Sequence, residues 1–193
     1  AVQAVFMPLQ SALTSPVGFV FFCFLKCFIY SMGISTWVLT PVDEPVKLAV
    51  ITANLELVAA GVATYQNLGI FTETFMFCRA CIVPGIFNIN EPIIFGAIAW
   101  NPLLMLPMWI QGIILPIVTY LFTKVIPFAP IPRIQFDLWY CPYPISTFIS
   151  TQGSITGVIF AILTFVLSAV IWFPFVKAYD DQKVKEETAA IKA

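Results

Sequence analysis

The stretch Asn88-Ile89-Asn90-Glu91-Pro92 holds the residue types best suited to a ligand rich in hydroxyls. Glu91 is the only charge between Arg79 and Lys124. An ionised carboxylate in apolar surroundings persists where it is hydrogen-bonded or wet. Pro92 biases Glu91 toward extended backbone, which sets the carboxylate at a break where backbone groups are also free. Asn88 and Asn90 each add an amide acceptor and amide donors. Two amides and a carboxylate beside a helix N-terminus can meet the paired donors and acceptors of a sugar. The same carboxylate can take a proton from one hydroxyl while that oxygen attacks an electrophile. The alternative is that Glu91 only ties a broken helix together.

A second group of candidates is aromatic. Trp139-Tyr140-Cys141-Pro142-Tyr143-Pro144 sits in a proline-rich stretch, residues 125–154, with Arg133 and Asp137. Aromatics at this density fit either an interfacial belt or a surface on which sugar rings stack. The cysteines carry less. Cys78-Arg79-Ala80-Cys81 is a CxxC, but no second pair with metal-site spacing follows and the chain has no histidine, so no metal site is expected. A membrane enzyme acting alone is disfavoured, because no nucleophile is paired with a base.

The elements that must position these residues are apolar. Of 193 residues, 60% are hydrophobic and 10% are charged, whereas an ordinary soluble domain is about 25% charged. Residues 92–123 and 138–176 carry no charge at all, and about 20 apolar residues suffice to cross a bilayer. Net charge is -1, with no basic patch to hold a nucleic-acid backbone. The opening Ala1-Val2-Gln3-Ala4 lacks the positive region of a signal peptide.

Residues 17–42 read as the first spanning segment. Lys26 inside it must snorkel, line a cavity or pair. Pro41-Val42-Asp43-Glu44-Pro45 reads as a polar turn. Residues 46–68 form either a tilted span or an interfacial helix. Residues 93–100 would reach only about 12 Å as helix, against a hydrocarbon core of roughly 30 Å. They are framed by Asn90-Glu91-Pro92 and Asn101-Pro102, so they read as a re-entrant piece of the kind that lines a wet cavity. Residues 103–123 and 155–176 are the clearest spans. The tail from Lys177 is polar and helical, and Lys177, Lys183 and Lys185 place it in the cytoplasm.

The wording of the central stretch adds a resemblance. Pro84-Gly85-Ile86-Phe87-Asn88-Ile89-Asn90-Glu91-Pro92-Ile93-Ile94-Phe95-Gly96, with Asn101-Pro102 after it, resembles the C-terminal half of a bacterial family. That family is the membrane component, enzyme IIC, of phosphotransferase-system permeases for lactose, cellobiose and diacetylchitobiose. Trp172-Phe173-Pro174-Phe175-Val176-Lys177-Ala178-Tyr179-Asp180 is similar to its last helix and exit. The likeness is strong over residues 82–123 and 155–187 and weaker over residues 17–81.

The resemblance implies a domain that binds a disaccharide and carries it across by an elevator-like movement. A separate cytoplasmic IIB protein then donates phosphate from a cysteine to a sugar hydroxyl. Within a complete permease this amounts to sugar phosphotransferase activity. Glu91 maps onto the family's sugar-contacting candidate base and Asn90 onto its neighbour. With them, Asn88, Trp139 and Tyr143 make up the expected substrate-binding set, the loop from Trp139 to Pro144 matching only loosely. A histidine that follows a Gly-Ile pair in the family is replaced here, in Gly33-Ile34-Ser35, by Ser35. The family domain is also roughly twice as long, and a glycine-rich segment ahead of Cys78 is missing.

The expectation is therefore an all-α, polytopic membrane protein with re-entrant broken helices around the Asn90-Glu91-Pro92 motif. It forms one partial IIC-like domain over residues 1–193, with a cytoplasmic tail at 177–193, in the bacterial cell membrane. Its expected partners are a disaccharide of the cellobiose, lactose or chitobiose type, a phosphocysteine-bearing IIB protein, the lipid bilayer and a second copy in a homodimer. No cofactor, metal or nucleic acid is expected. The competing expectation is a truncated or degenerate accessory subunit without transport activity.

Overall fold

The structure, a computed structural model, describes residues 11–64, 66–70, 94–134, 136, 138 and 140–192. Among them every regular element is helical. Helix α1 is Pro16–Ser31, followed by a 3-10 turn at Thr36–Leu39 and helix α2 at Thr40–Ala59. A π-helical turn at Ile94–Ile98 leads to α3, Pro102–Tyr120, which runs into a second π turn at Leu121–Val125. Helix α4 is Tyr143–Ser150, and α5 is Ile155–Lys192.

Helix α1 begins where its residues favour a start. The Ser15 side chain accepts from the Gly18 N–H at 3.1 Å, and Pro16 fills the first turn, where its missing N–H costs nothing. The helix ends at Gly33, whose φ of +75° suits glycine. There the Gly33 N–H reaches Tyr30 O and the Ile34 N–H reaches Ile29 O, closing the free carbonyls. The expected span over residues 17–42 is thus cut. At 16 residues, α1 is about 24 Å long.

Pro41 to Pro45 form the first turns of α2 rather than a polar turn. Proline is tolerated close to a helix start. Asp43 also lies near the positive end of the helix dipole and pairs with Lys26 of α1. Of the three fates open to Lys26, pairing is the one realised. Helix α2 stops before Gly61, at φ +71°, so residues 46–68 do not make one continuous element. Asn54 fastens the following segment to α2. Its Oδ1 accepts from the Gly69 N–H at 2.6 Å and its Nδ2 donates to Gly69 O at 3.0 Å.

Helix α3 is the central element. Its side chain–backbone cap is Asn101, whose Oδ1 accepts from the Leu103 N–H at 3.2 Å. Pro107 and Pro116 both lie inside the helix and are fully buried. Helix α1 runs antiparallel to α3. Phe28 meets Trp109 at 5.4 Å between ring centroids, and Cys27 lies against Gly112. A Cβ at Gly112 would stand 3.0 Å from Cys27 Cβ and 3.4 Å from Phe24 Cα, so the glycine sets how closely the two helices approach. Helix α5 runs antiparallel along another side of α3, with Phe160 on Phe122 at 5.7 Å. The main core, around Phe19, Cys23, Tyr30, Ile98, Met108 and Leu115, lies mostly between α1 and α3.

Among the described residues, two helices are long and apolar enough to cross a bilayer, Pro102–Val125 and Ile155–Glu186. Helix α5 continues unbroken through Pro174 for 38 residues, about 57 Å, so the helical tail read from the sequence is present. The stretch 125–154 is not all loop, because Tyr143–Ser150 is helical. Among the described residues, two bulky ones hold left-handed backbone, Trp100 at φ +62° and Gln152 at φ +58°. That conformation costs an L-residue roughly 1–2 kcal/mol.

Candidate functional site

Asn88, Asn90, Glu91 and Trp139 lie outside the described residues, as do Cys78 and Cys81. The chain leaving the Glu91 segment is described from Ile94. Ile94 and Ile98 are buried in the main core, and Phe95 meets Tyr30 edge-on at 5.9 Å. The backbone turns at Ala99 and Trp100 against the end of α1. The Trp100 N–H donates to Ser31 O at 3.4 Å, and a Cβ at Gly33 would sit 3.5 Å from Trp100 Nε1. The Gly33-Ile34-Ser35 segment and the exit of the Glu91 segment therefore share one end of the α1–α3 pair. Ser35 caps the 3-10 turn there, its Oγ accepting from the Trp37 N–H at 3.4 Å. The hydroxyl proton of Ser35 is left for another acceptor.

Tyr143 is placed elsewhere. It opens α4, which packs chiefly on α5. Thr147 and Thr151 approach α5 at Gly157, near the Phe122–Phe160 contact. Ser35 and Tyr143 thus belong to regions near opposite ends of α3, and the described residues do not bring them together. Near α4, Arg133 donates its backbone N–H to Ser150 O at 2.8 Å. The Arg133 Nε and Thr147 Oγ1 are buried with no hydrogen-bond partner among the described residues.

A set of interior polar contacts joins the helices between these regions. Gln111 Oε1 accepts from Ser168 Oγ at 2.7 Å and from the Trp172 indole N–H. Ser31 Oγ accepts from Trp109 Nε1 at 2.8 Å and donates to Phe28 O at 2.7 Å. Lys124 Nζ donates to Gln66 O at 3.2 Å and to Leu68 O. Sequence reasoning passed over Gln111 and Ser168. The available signal was a lone amide in the apolar run 103–123, which needs a partner once buried. The Gln111 and Ser31 contacts are between neutral groups and align helices.

A crevice of about 500 Å³ between α1 and α3 is lined by Val17, Phe21, Phe24, Ile113 and Ile117 and is almost wholly apolar. No group of three or more metal-ligating side chains occurs among the described residues.

Comparison with known proteins gives these positions a context. No protein-family model matches the chain. The lichenan permease IIC component of Bacillus subtilis is 36% identical over 110 residues, covering 56% of this chain and 24% of that protein. The lactose-specific EIICB component of the phosphotransferase system from Staphylococcus epidermidis is 29% identical over 97% of this chain and 37% of its own length. The cellobiose-specific EIIC component from Geobacillus stearothermophilus is 39% identical over 58% of this chain and 25% of its own. Among solved structures, the transporter ChbC is similar, with a TM-score of 0.82 and 27% identity. ChbC is the IIC component of the N,N'-diacetylchitobiose-specific phosphotransferase system, and the likeness covers 94% of this chain and 49% of that one. The chain spans between a quarter and a half of the length of these proteins.

Proposed function

From its kinship in sequence and fold with the sugar-specific IIC components of the bacterial phosphotransferase system, we propose that this chain is the sugar-binding part of a membrane permease. Its substrate is a disaccharide of the cellobiose, lactose or chitobiose type, and its partner is a cytoplasmic IIB protein carrying a phosphocysteine. The observation that carries the reading is the fold likeness to ChbC over nearly the whole chain. The chemistry of Asn88-Ile89-Asn90-Glu91-Pro92 agrees with it.

In this reading Asn88 and Asn90 pair with sugar hydroxyls, and Glu91 accepts from the hydroxyl that is to be phosphorylated. That oxygen attacks the phosphorus of the phosphocysteine, the S–P bond breaks, the cysteine leaves as thiolate, and Glu91 takes the proton. Trp139 and Tyr143 offer ring faces to the C–H faces of a pyranose. Ser35 stands at the family's histidine position, a hydroxyl that can donate but does not become charged. Its place beside the exit of the Glu91 segment supports a role at the same site, through the contact of Trp100 with Ser31 and Gly33. The tail from Lys177 faces the cytoplasm, where the phosphoryl donor is.

The test is reconstitution in lipid vesicles with cellobiose, lactose and diacetylchitobiose. Saturable binding of one of them, and sugar phosphate formed only when phosphorylated IIB is added, is the expected result. Absence of binding to all three would overturn the reading. Binding without phosphoryl transfer to a competent IIB would confine the chain to recognition and point to Ser35.

A further inference from the structure

Trp37 and Trp100 stand apart from the interior tryptophans. Trp109 and Trp172 are partly buried, and each gives its indole N–H to a protein oxygen, Ser31 Oγ and Gln111 Oε1. Trp37 and Trp100 are 75% and 70% exposed. Neither indole N–H has a protein acceptor among the described residues. Trp100 also holds φ +62°, a conformation unfavourable for a bulky side chain. Burial of the ring inside the protein does not offset that cost, because the ring is outside.

Both residues belong to one end of the bundle. Trp37 lies in the 3-10 turn capped by Ser35, and the Trp100 N–H is held by Ser31 at the end of α1. Exposed Ile34 and Val38 widen the apolar surface beside Trp37. The same end is where α5 changes character. Tyr179 packs on the main core, Gln111 engages Ser168 and Trp172 just before it, and the uncharged run of α5 ends at Lys177. The apolar length of a spanning helix fixes where the bilayer surface lies. Beyond Lys177 the helix carries Asp180, Asp181, Lys183, Lys185 and Glu186 and must stand in water. An indole has an apolar body and one N–H that needs an acceptor, so it favours the level between hydrocarbon and headgroups.

We propose that Trp37 and Trp100 anchor this end of the bundle in the headgroup region of the membrane. Their rings lie among the upper acyl carbons, and their N–H groups donate to lipid ester and phosphate oxygens. The occupant of this surface is lipid. Two indoles flanking the end of α1 hold the Ala99–Trp100 turn at a set height, and with it the exit of the segment that carries Glu91. The left-handed backbone at Trp100 aims the ring outward to the lipid.

The test uses the full chain in phosphatidylcholine–phosphatidylglycerol vesicles and follows tryptophan fluorescence. The parent is compared with Trp37→Phe, Trp100→Phe and the double variant, with circular dichroism confirming helix content. Trp100→Gly keeps the left-handed turn where phenylalanine does not. Lipids brominated near the glycerol end are expected to quench a component that lipids brominated at the chain end quench less. That component is expected to be lost in the double variant and reduced in Trp100→Gly. Quenching of the same component by aqueous iodide alone would place the rings in water and overturn the proposal. Protection from both quenchers would mean that protein covers them, which also overturns it. Shielding of the component from brominated lipid by a disaccharide would assign the rings to the sugar instead. The proposal requires that α5 spans a membrane, but its readout does not depend on transport or on any particular sugar.

Discussion

Replacing Gln111 with leucine separates the interior hydrogen bonds from the packing around them. Gln111 is buried on α3, and its Oε1 accepts both the Ser168 hydroxyl and the Trp172 indole N–H of α5. Leucine fills much of the same space but accepts neither. A buried donor left without an acceptor costs about 1–3 kcal/mol. Ser168 is 1% exposed, yet its hydroxyl can turn back to the carbonyl one helical turn earlier, so most of its loss is recovered. Trp172 has no such local acceptor, because an indole N–H cannot reach its own helix backbone, although its partial exposure leaves some access to water. Interhelical hydrogen bonds in a membrane reference average about 0.6 kcal/mol and reach about 1.7. Combining these, Gln111→Leu should destabilise the chain by about 1–1.5 kcal/mol. The assay is reversible unfolding in mixed micelles titrated with dodecyl sulfate, run as a double-mutant cycle with Trp172→Phe. The coupling should be about 0.5–1 kcal/mol, larger than in the parallel cycle with Ser168→Ala. If Gln111→Leu is as stable as the parent and both couplings vanish, the polar cluster does not align α3 with α5 and the reasoning fails.

Gly112→Val should cost about 1–3 kcal/mol in the same assay through overpacking, since even a Cβ meets Cys27 at 3.0 Å. Gly112→Ala should sit near neutral, because a helix-propensity gain of about 1 kcal/mol opposes the smaller clash. Asp43→Asn leaves Lys26 largely buried without its counter-charge and should lose about 3 kcal/mol, while Lys26→Met with Asp43→Leu should recover most of it. Glu91→Gln should lower sugar phosphorylation by IIB about 10²–10⁴-fold with binding largely retained, as measured by isothermal titration beside a phosphorylation assay. The α5 tail should resist protease added outside intact cells and be cut in inverted vesicles; the reverse pattern would place Lys177 on the outer side.

What could be read ahead of the structure depended on how local the deciding interactions were. Helices α3 and α5 were legible because an uncharged run longer than a bilayer crossing has few alternatives, and Asn101-Pro102 marked a start through a cap formed within two residues. The element at Ile94–Ile98 was legible as short, since breakers frame it, although its π geometry was not. Helix α2 was misread at Pro41 to Pro45. The cost of a proline depends on where the helix begins, and that point was set by the Gly33 turn and by the distant pairing of Asp43 with Lys26. Helix α4 was hidden among prolines for the same positional reason. The closeness of the Gly33-Ile34-Ser35 segment to the Trp100 turn, through Ser31 and Gly33, could be seen only once α1 was found to end at Gly33.

Most interior polar residues of the described part, Arg133 Nε and Thr147 Oγ1 excepted, follow one physical rule, which a sequence states without naming the partners. In an apolar helix a buried polar group persists where something satisfies it. Lys26 has Asp43, Asn54 has the Gly69 backbone, Ser31 has Trp109, and Gln111 has Ser168 and Trp172. Each of these pairs is internal, so each explains stability and none requires a ligand. From the sequence alone the same rule bears on Glu91, a carboxylate in an otherwise uncharged run, since a carboxylate is costlier to bury than an amide or a hydroxyl and its immediate neighbours in sequence are Asn90 and a proline that brings no N–H. A disaccharide presents several hydroxyl donors at once, and in the proposed reading it is the bound sugar that meets the demand. Glu91→Gln then becomes informative beyond the rate of phosphorylation. The amide can accept from a hydroxyl but bears no charge, so the sugar-free variant should be more stable than the parent while its bound form gains less from sugar. A parent whose unfolding is unmoved by saturating disaccharide would break this proposed link between Glu91 and its ligand.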